Sequence, residues 1–208
     1  MKYYVRTTGE RDLSQYSFLD YTPLYDFKHE SVKSFIEQMR LISNDDALFM
    51  EDDIIFCDNF INKVNEVIAQ YPNQIINFFF QPLAYLQTSE VKGKKFLYNQ
   101  CVYYPKGISK IIADKMQELI DNGIEWKQYD EIEGAALDAL GINFIQYRPM
   151  LVQHIGVNSI IGNNWLNDAK TIYFIDDIKG MDYNDAGLML KYGYKQYDKI
   201  GISHPIII

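Results

Sequence analysis

Three consecutive acids, Glu51, Asp52 and Asp53, follow the apolar run Ala47, Leu48, Phe49, Met50 and precede Ile54 and Ile55. Adjacent carboxylates are costly to bury without a counter-charge. At the end of a strand they can hold a divalent metal or an organic cation in a cleft beside a sheet. Mg2+ and Mn2+ favour such oxygen donors, and there they would neutralise a diphosphate as charge builds on it. An extended backbone alternates its side chains, which predicts Glu51 and Asp53 on one side and Asp52 on the other. Asp53 is therefore assigned to the metal. Asp52 or Glu51 would bind through water or hold a ribose. The plain alternative is an acidic surface turn.

His154 lies about a hundred residues further on, beside Gln153 and ahead of the polar glycine turn Gly156, Val157, Asn158, Ser159. Such a turn can aim backbone amides at phosphate oxygens. His154 either completes the acidic site through the fold or is a packed, hydrogen-bonded residue.

These groups need a sheet and helices to position them, and the periodicity supplies candidates. Tyr3 to Arg6 reads as a short strand, and Thr7 to Ser14 as a polar loop over a ligand. The aromatic stretch 18–27 contains Pro23, which suits an edge strand or extended loop. Val32, Phe35, Ile36, Met39 and Leu41 or Ile42 stripe a helix over about 30–42. Residues 47–50 read as a buried strand. Asp58 caps an amphipathic helix that stops before Pro72. Residues 74–80 read as a central strand, and Lys92, Gly93, Lys94, Lys95 as a hairpin tip or mobile loop. A strand at 102–104, helices at about 108–121 and 131–140, and extended segments at 144–147 and 151–152 complete the pattern. The tail after Trp165 is less regular, with a strand suggested at 172–175 and a short helix at 183–192. Alternating strands and helices predict an α/β fold, a mixed sheet flanked by helices in one compact domain. Residues 1–165 would form that domain. Residues 166–208 would be a C-terminal extension packed on it or on a partner subunit, a route to a homo-oligomer.

The 208 residues are 48% hydrophobic and 15% aromatic, enough for a substantial core. Seventeen tyrosines and twelve phenylalanines serve packing, or stacking against a base or sugar. A net charge of -8 disfavours nucleic acid as a partner, because phosphate backbones need a positive field. Cys57 and Cys101, the two cysteines, could form one disulfide but build neither a disulfide framework nor a metal knuckle. A reduced, cytoplasmic setting is expected, with no secretory signal and no transmembrane segment.

The segment 48–54, Leu-Phe-Met-Glu-Asp-Asp-Ile, resembles the metal-binding motif of glycosyltransferases with the GT-A fold. The segment 100–108, Gln-Cys-Val-Tyr-Tyr-Pro-Lys-Gly-Ile, resembles the strand-then-helix segment of the lipopolysaccharide-type family 25 glycosyltransferases and their relatives. The segment 152–159, Val-Gln-His-Ile-Gly-Val-Asn-Ser, is similar to the C-terminal histidine turn of these enzymes and of the branching N-acetylglucosaminyltransferases. Together these motifs cover residues from about 30 to 162. The resemblance implies a GT-A-like domain, a nucleotide-sugar donor (usually a UDP-sugar), Mn2+ or Mg2+, and a glycan, protein or small-molecule acceptor. It puts Asp53 and His154 on the metal, and Glu51 or Asp52 near the nucleotide. It also puts an acid of the segment 126–131 near the acceptor. Asp130 is the first choice and Glu131 the second, with Glu133 a candidate if the helix begins later. In an inverting transfer that acid takes the proton from the attacking hydroxyl. Asp130 and Glu131 would otherwise be helix N-terminal acids favoured by the dipole. The chain before the acids is shorter than in such enzymes. Residues 3–8 and 21–27, Tyr25 among them, must then supply the base and ribose pocket, with Arg6 or Arg11 at the diphosphate. A metal-dependent nucleotidyltransferase and a non-catalytic carbohydrate- or protein-binding domain on the same scaffold are the alternatives.

Overall fold

A computed structural model describes residues 1–79, 88–125 and 128–154, with His154 described in its backbone only. Strand β1 (Lys2–Thr7) runs parallel to both of its neighbours, β2 (Tyr21–Tyr25) and β3 (Ala47–Glu51). Helix α1 (Ser31–Leu41) makes the crossover from β2 to β3. β4 (Ile54–Phe56) follows the acids and leads to α2 (Phe60–Gln70). Then come β5 (Ile75–Asn77), β6 (Ser89–Lys92), β7 (Cys101–Tyr104), α3 (Ile108–Asp121), α4 (Tyr129–Leu140), β8 (Asn143–Gln146) and β9 (Val152–His154).

The main sheet has seven strands in the order β2-β1-β3-β7-β5-β8-β6, and β4 pairs with β9 in a separate ladder. β7 is antiparallel to β3 and β5, and β6 is antiparallel to β8. The mixed strand directions expected of the sheet are therefore present. β2 is an edge strand, which is where Pro23 can sit without costing a ladder bond.

β3 is buried on both faces, and its alternation feeds two cores. Leu48 and Met50 join Phe60, Val64 and Val67 of α2. Ala47 and Phe49 face Phe35, Ile36 and Met39 of α1, Ile112 and Met116 of α3, and Leu137 of α4. The described residues thus form a helix-sheet-helix sandwich, one α/β domain. Each fully buried large apolar side chain contributes about 1.5–3 kcal/mol relative to exposure. In the stripe of α1, Ile42 is the buried choice, while Leu41 is 59% exposed.

Several local expectations need correction. The N-cap position of α2 falls one residue after Asp58. Asn59 occupies that position at φ 55 without a side-chain cap bond. The central strand at 74–80 is regular only over Ile75–Asn77. The lysine run is not a hairpin tip: Lys92 ends β6, and Gly93–Lys95 forms a single 3-10 turn packed on α4. Gly93 is buried there, and a Cβ on it would lie 2.6 Å from the Ile142 carbonyl oxygen and from Leu137. The helix expected from 131 begins at Tyr129. The proposed extension, residues 166–208, and the Gly156 turn lie outside the described residues.

Candidate functional site

β1 has its parallel neighbours on opposite sides, so the chain reverses its winding there. In open α/β sheets, ligands bind in the crevice outside the carboxyl ends of strands at such a switch point. The carboxyl ends of β2, β1 and β3 bring Tyr25, Thr7 and Glu51 to one edge, with Tyr25 in register with Thr7 and Arg6 with Glu51. The acids leave the sheet at this edge.

Asp52 and Asp53 form a turn between β3 and β4, and the expected strand alternation does not extend to them. Both carboxylates are brought to one nitrogen. Arg11 Nη1 donates to Asp52 Oδ1 at 2.6 Å and to Asp53 Oδ2 at 2.9 Å. The second oxygen of Asp52 is buried with no hydrogen-bond partner, as is Thr8 Oγ1 beside β1. The turn is clamped through its backbone. Gln15 Nε2 donates to the carbonyls of Asp52 and Ile54 at 3.2 and 3.0 Å, and the Tyr16 hydroxyl donates to the carbonyl of Glu51. Nothing in the local sequence pattern marks Gln15 or Tyr16 for this task. They follow directly on the polar loop 7–14.

Across the domain, β4 and β9 are antiparallel with Ile54 opposite His154. The topology therefore delivers the His154 backbone beside the residue that follows Asp53. The His154 side chain lies outside the described residues. Among the described residues no group of three or more His, Cys, Asp or Glu is arranged to hold a metal ion. The Asp52–Asp53 pair nevertheless offers what a hard cation uses: carboxylate oxygens, one of them buried and unsatisfied.

Glu51 and Asp130 are joined by one loop. Gln100 Nε2 donates to Glu51 Oε2 at 3.2 Å, and Tyr98 N donates to Asp130 Oδ2 at 3.2 Å. Tyr98 holds a left-handed φ of 70, a conformation that non-glycine residues adopt at a cost of about 1–3 kcal/mol. Burial pushes the Glu51 carboxyl up to about 8, helped by the negative charges of Asp53, Asp130 and Asp52 and opposed by Arg6. Burial also raises Asp130, against hydrogen bonds from the amides of Tyr98 and Glu131. Asp130 lies in the first turn of α4 beside Glu131, which is exposed. Glu133 points elsewhere. Fully buried, it accepts from Asn99 Nδ2 and the Tyr104 hydroxyl, each at 2.7 Å, and burial lifts it to about 8.

Arg6 is turned inward. It donates to Gln38 at 3.1 Å and Asp26 at 2.9 Å, and its guanidinium lies 4.6 Å above the Tyr129 ring. It ties β1 to α1 and to the first residue of α4. Tyr25 stacks on Phe27 at 4.6 Å and 12°, with the rings 49% and 68% exposed. Gly9 backs this pair closely: a Cβ there would lie 2.7 Å from the Phe27 ring.

No protein-family model matches the chain, and no curated protein matches it. Among solved structures it is similar to the crystal structure of A197 from STIV, at 9% identity over 74% of this chain and 85% of that one, with a TM-score of 0.45. The likeness carries no functional assignment. No helix among the described residues is long and apolar enough to cross a membrane.

Proposed function

We propose that the chain is a metal-dependent glycosyltransferase of GT-A-like architecture, moving a sugar from a nucleotide-sugar, a UDP-sugar first, to an acceptor hydroxyl with inversion. The observation that carries this reading is the Ile54–His154 register, which draws two segments about a hundred residues apart to one acidic turn. Asp53 and His154 would hold Mn2+ or Mg2+, with Asp52 beside them. When bound, the metal supplies positive charge to a diphosphate leaving group. Tyr25, with Phe27, offers an exposed aromatic platform for the base. Glu51 and the Gly156 turn would face the ribose and phosphates, and Arg6 would act as a positioning residue through Tyr129. Asp130 would accept the proton of the attacking hydroxyl. A carboxyl raised by burial is a better base near neutral pH than an ordinary one. Glu131 is the second choice.

One observation favours a different reading. Arg11 already neutralises Asp52 and Asp53, as it would in a non-catalytic domain that keeps the scaffold. Calorimetric titration with nucleoside diphosphates, with and without Mn2+, separates the two. Manganese-dependent binding of one nucleotide supports the transferase and names its base. A folded protein that binds none is the non-catalytic domain.

A further inference from the structure

Residues 98–100 run into β7, and each of them holds an acid. Tyr98 N donates to Asp130 Oδ2 at 3.2 Å, Asn99 Nδ2 to Glu133 Oε2 at 2.7 Å, and Gln100 Nε2 to Glu51 Oε2 at 3.2 Å. The segment is anchored from two sides. On the sheet side the buried Asn77 donates its Nδ2 to the carbonyls of Leu97 and Tyr98, at 3.2 and 2.9 Å. On the helix side the anchor is Glu133, a buried acid with no part in the transfer chemistry. Its neighbour Gly134 lets α4 come close to the chain just before the segment: a Cβ there would lie 2.9 Å from the Phe96 carbonyl oxygen.

The contacts of Glu133 can be counted in protons. The Tyr104 hydroxyl oxygen lies 2.7 Å from Glu133 Oε1 and 3.3 Å from Asn99 Oδ1. The 2.7 Å separation suits an O–H···O bond in either direction. A phenol has one proton to give. If Glu133 is a carboxylate, that proton goes to it, and the buried Asn99 Oδ1 loses the hydroxyl. If Glu133 is a neutral acid, its own O–H donates to Tyr104, Tyr104 donates to Asn99 Oδ1, and Asn99 Nδ2 donates back to Glu133 Oε2. Every contact is then a hydrogen bond, and the ring closes with each bond polarising the next. A buried acceptor left without a donor is costly, and so is a buried carboxylate without a cation. The surrounding charges favour the neutral ring. Asp130, one turn earlier, acts on Glu133 with like sign, and Glu51 acts on Tyr104 in the same way. α1 and α3, which pack on α4, bring Phe35, Ile112 and Met116 to this core. Lys94 and Lys95, of the 3-10 turn that also packs on α4, are exposed.

We infer that Glu133 is a positioning residue that works as a neutral acid: its proton closes the Glu133–Tyr104–Asn99 ring, the ring fixes residues 98–100, and those residues set the carboxyls of Asp130 and Glu51. Loss of the proton turns Tyr104 to Glu133 and leaves Asn99 Oδ1 without its donor. Asn99 lies between the residues that hold Asp130 and Glu51, so both supports loosen together. The ring stands on these contacts alone. That Asp130 is a base which the ring positions rests on the transferase reading. To that reading the ring adds an alkaline limit set away from the reacting atoms. Burial lifts Glu133 to about 8, and above that value the segment loses its anchor on α4.

The full chain, isotope-labelled at its glutamate carboxyls and backbone amides, is titrated with base and followed by NMR as wild type, Glu133→Gln and Glu133→Leu. The Glu133 carboxyl resonance, identified by its loss in Glu133→Gln, is expected to be that of a neutral acid at neutral pH and to titrate at about 8. The amides of Tyr98, Asn99 and Gln100 should shift with the same midpoint. Glu133→Gln keeps the ring, because its amide donates to Tyr104 and its carbonyl accepts from Asn99. Its amides at 98–100 should hold the wild-type neutral positions and lose the transition. Glu133→Leu cannot make the ring and should displace them at every pH. The comparison of wild type with Glu133→Gln does not depend on the folding of Glu133→Leu. A Glu133 carboxylate at neutral pH overturns the inference. So do amides that stay still while Glu133 titrates, and a transition that survives in Glu133→Gln. None of these readouts involves transfer. A protein that shows the ring but moves no sugar loses the transferase reading alone. One that transfers while its 98–100 amides ignore Glu133 loses the ring alone.

Discussion

Ile54 and His154 face each other across the β4–β9 ladder, one residue beyond Asp53. The main sheet does not make this contact. β4 and β9 form a ladder of their own beside it, and the ladder exists because the chain turns sharply at Asp52 and Asp53 instead of continuing β3. The turn and the long-range pairing are therefore one feature. If His154 and Asp53 act together, Asp53→Asn and His154→Ala should each weaken Mn2+ binding by about tenfold or more, the scale on which metal sites respond to lost ligands or supports. The double variant should lose little beyond the worse single one. Calorimetry with MnCl2 checks this. Additive losses would mean two independent sites.

Asp130 is predicted to separate binding from chemistry. It is tied to the acid turn through Tyr98, Gln100 and Glu51. Asp130→Asn should keep manganese-dependent nucleotide binding within about twofold and slow transfer by about a hundredfold or more, as loss of a general base does. Paired donor titration and single-turnover transfer assays give both numbers. Full transfer by Asp130→Asn would move the base to Glu131 or away from this helix.

Some of this site was legible in the chain and some was not, for physical reasons. The apolar run 47–50 ending in acids identifies a buried strand and its exit, because charge and burial conflict so sharply there. α3 matched its expected bounds because its stripe is regular and glycines flank it at 107 and 123. What stayed hidden depends on contacts between distant residues. Arg11 is one of twenty basic residues, and nothing local marks it as the partner of Asp52. Gln15 and Tyr16 act through backbone carbonyls, which have no signature in side-chain pattern. The lysine run misled for a similar reason: charge suggested a tip, whereas Gly93 buries its backbone against α4. Alternation failed at Asp52 because it presumes a strand that had already ended.

Glu133 should make stability fall as pH rises. Its carboxyl keeps its proton up to about 8 in the folded protein, against an ordinary 4.5. Between those values the folded state binds more protons than the unfolded one, so stability declines through that window and flattens above it. Hydrogen bonds from Asn99 and Tyr104 moderate the loss, which should amount to a few kcal/mol at most, since each pKa unit corresponds to about 1.4 kcal/mol. Glu51 adds a contribution of the same sign. Thermal melts from about pH 5 to pH 8 should show a falling midpoint in wild type. Glu133→Gln should remove the Glu133 share of that slope and leave the Glu51 share, because the amide needs no proton to stay neutral. An unchanged slope would assign the dependence to Glu51.

Gly93→Ala tests whether the 3-10 turn after β6 is structural. The added Cβ would meet the Ile142 carbonyl oxygen, the Leu137 carbonyl carbon and the Leu137 Cβ, all at 2.6 Å. Two of these are backbone atoms, so no rotamer change relieves the overlap. Either the turn must lift or the C-terminal end of α4 must move, and overpacking of this kind costs about 1–3 kcal/mol or more. The same helix carries Asp130 at its other end. Gly93→Ala should therefore lower the melting temperature by several degrees, on the order of 2–4 °C per kcal/mol for a chain of this size. It should also slow transfer while leaving Mn2+ affinity near wild type, since Asp52 and Asp53 are held from β3, Gln15 and Arg11 instead. A melting temperature equal to wild type would show that the turn yields easily and that the lysines there are a surface feature after all.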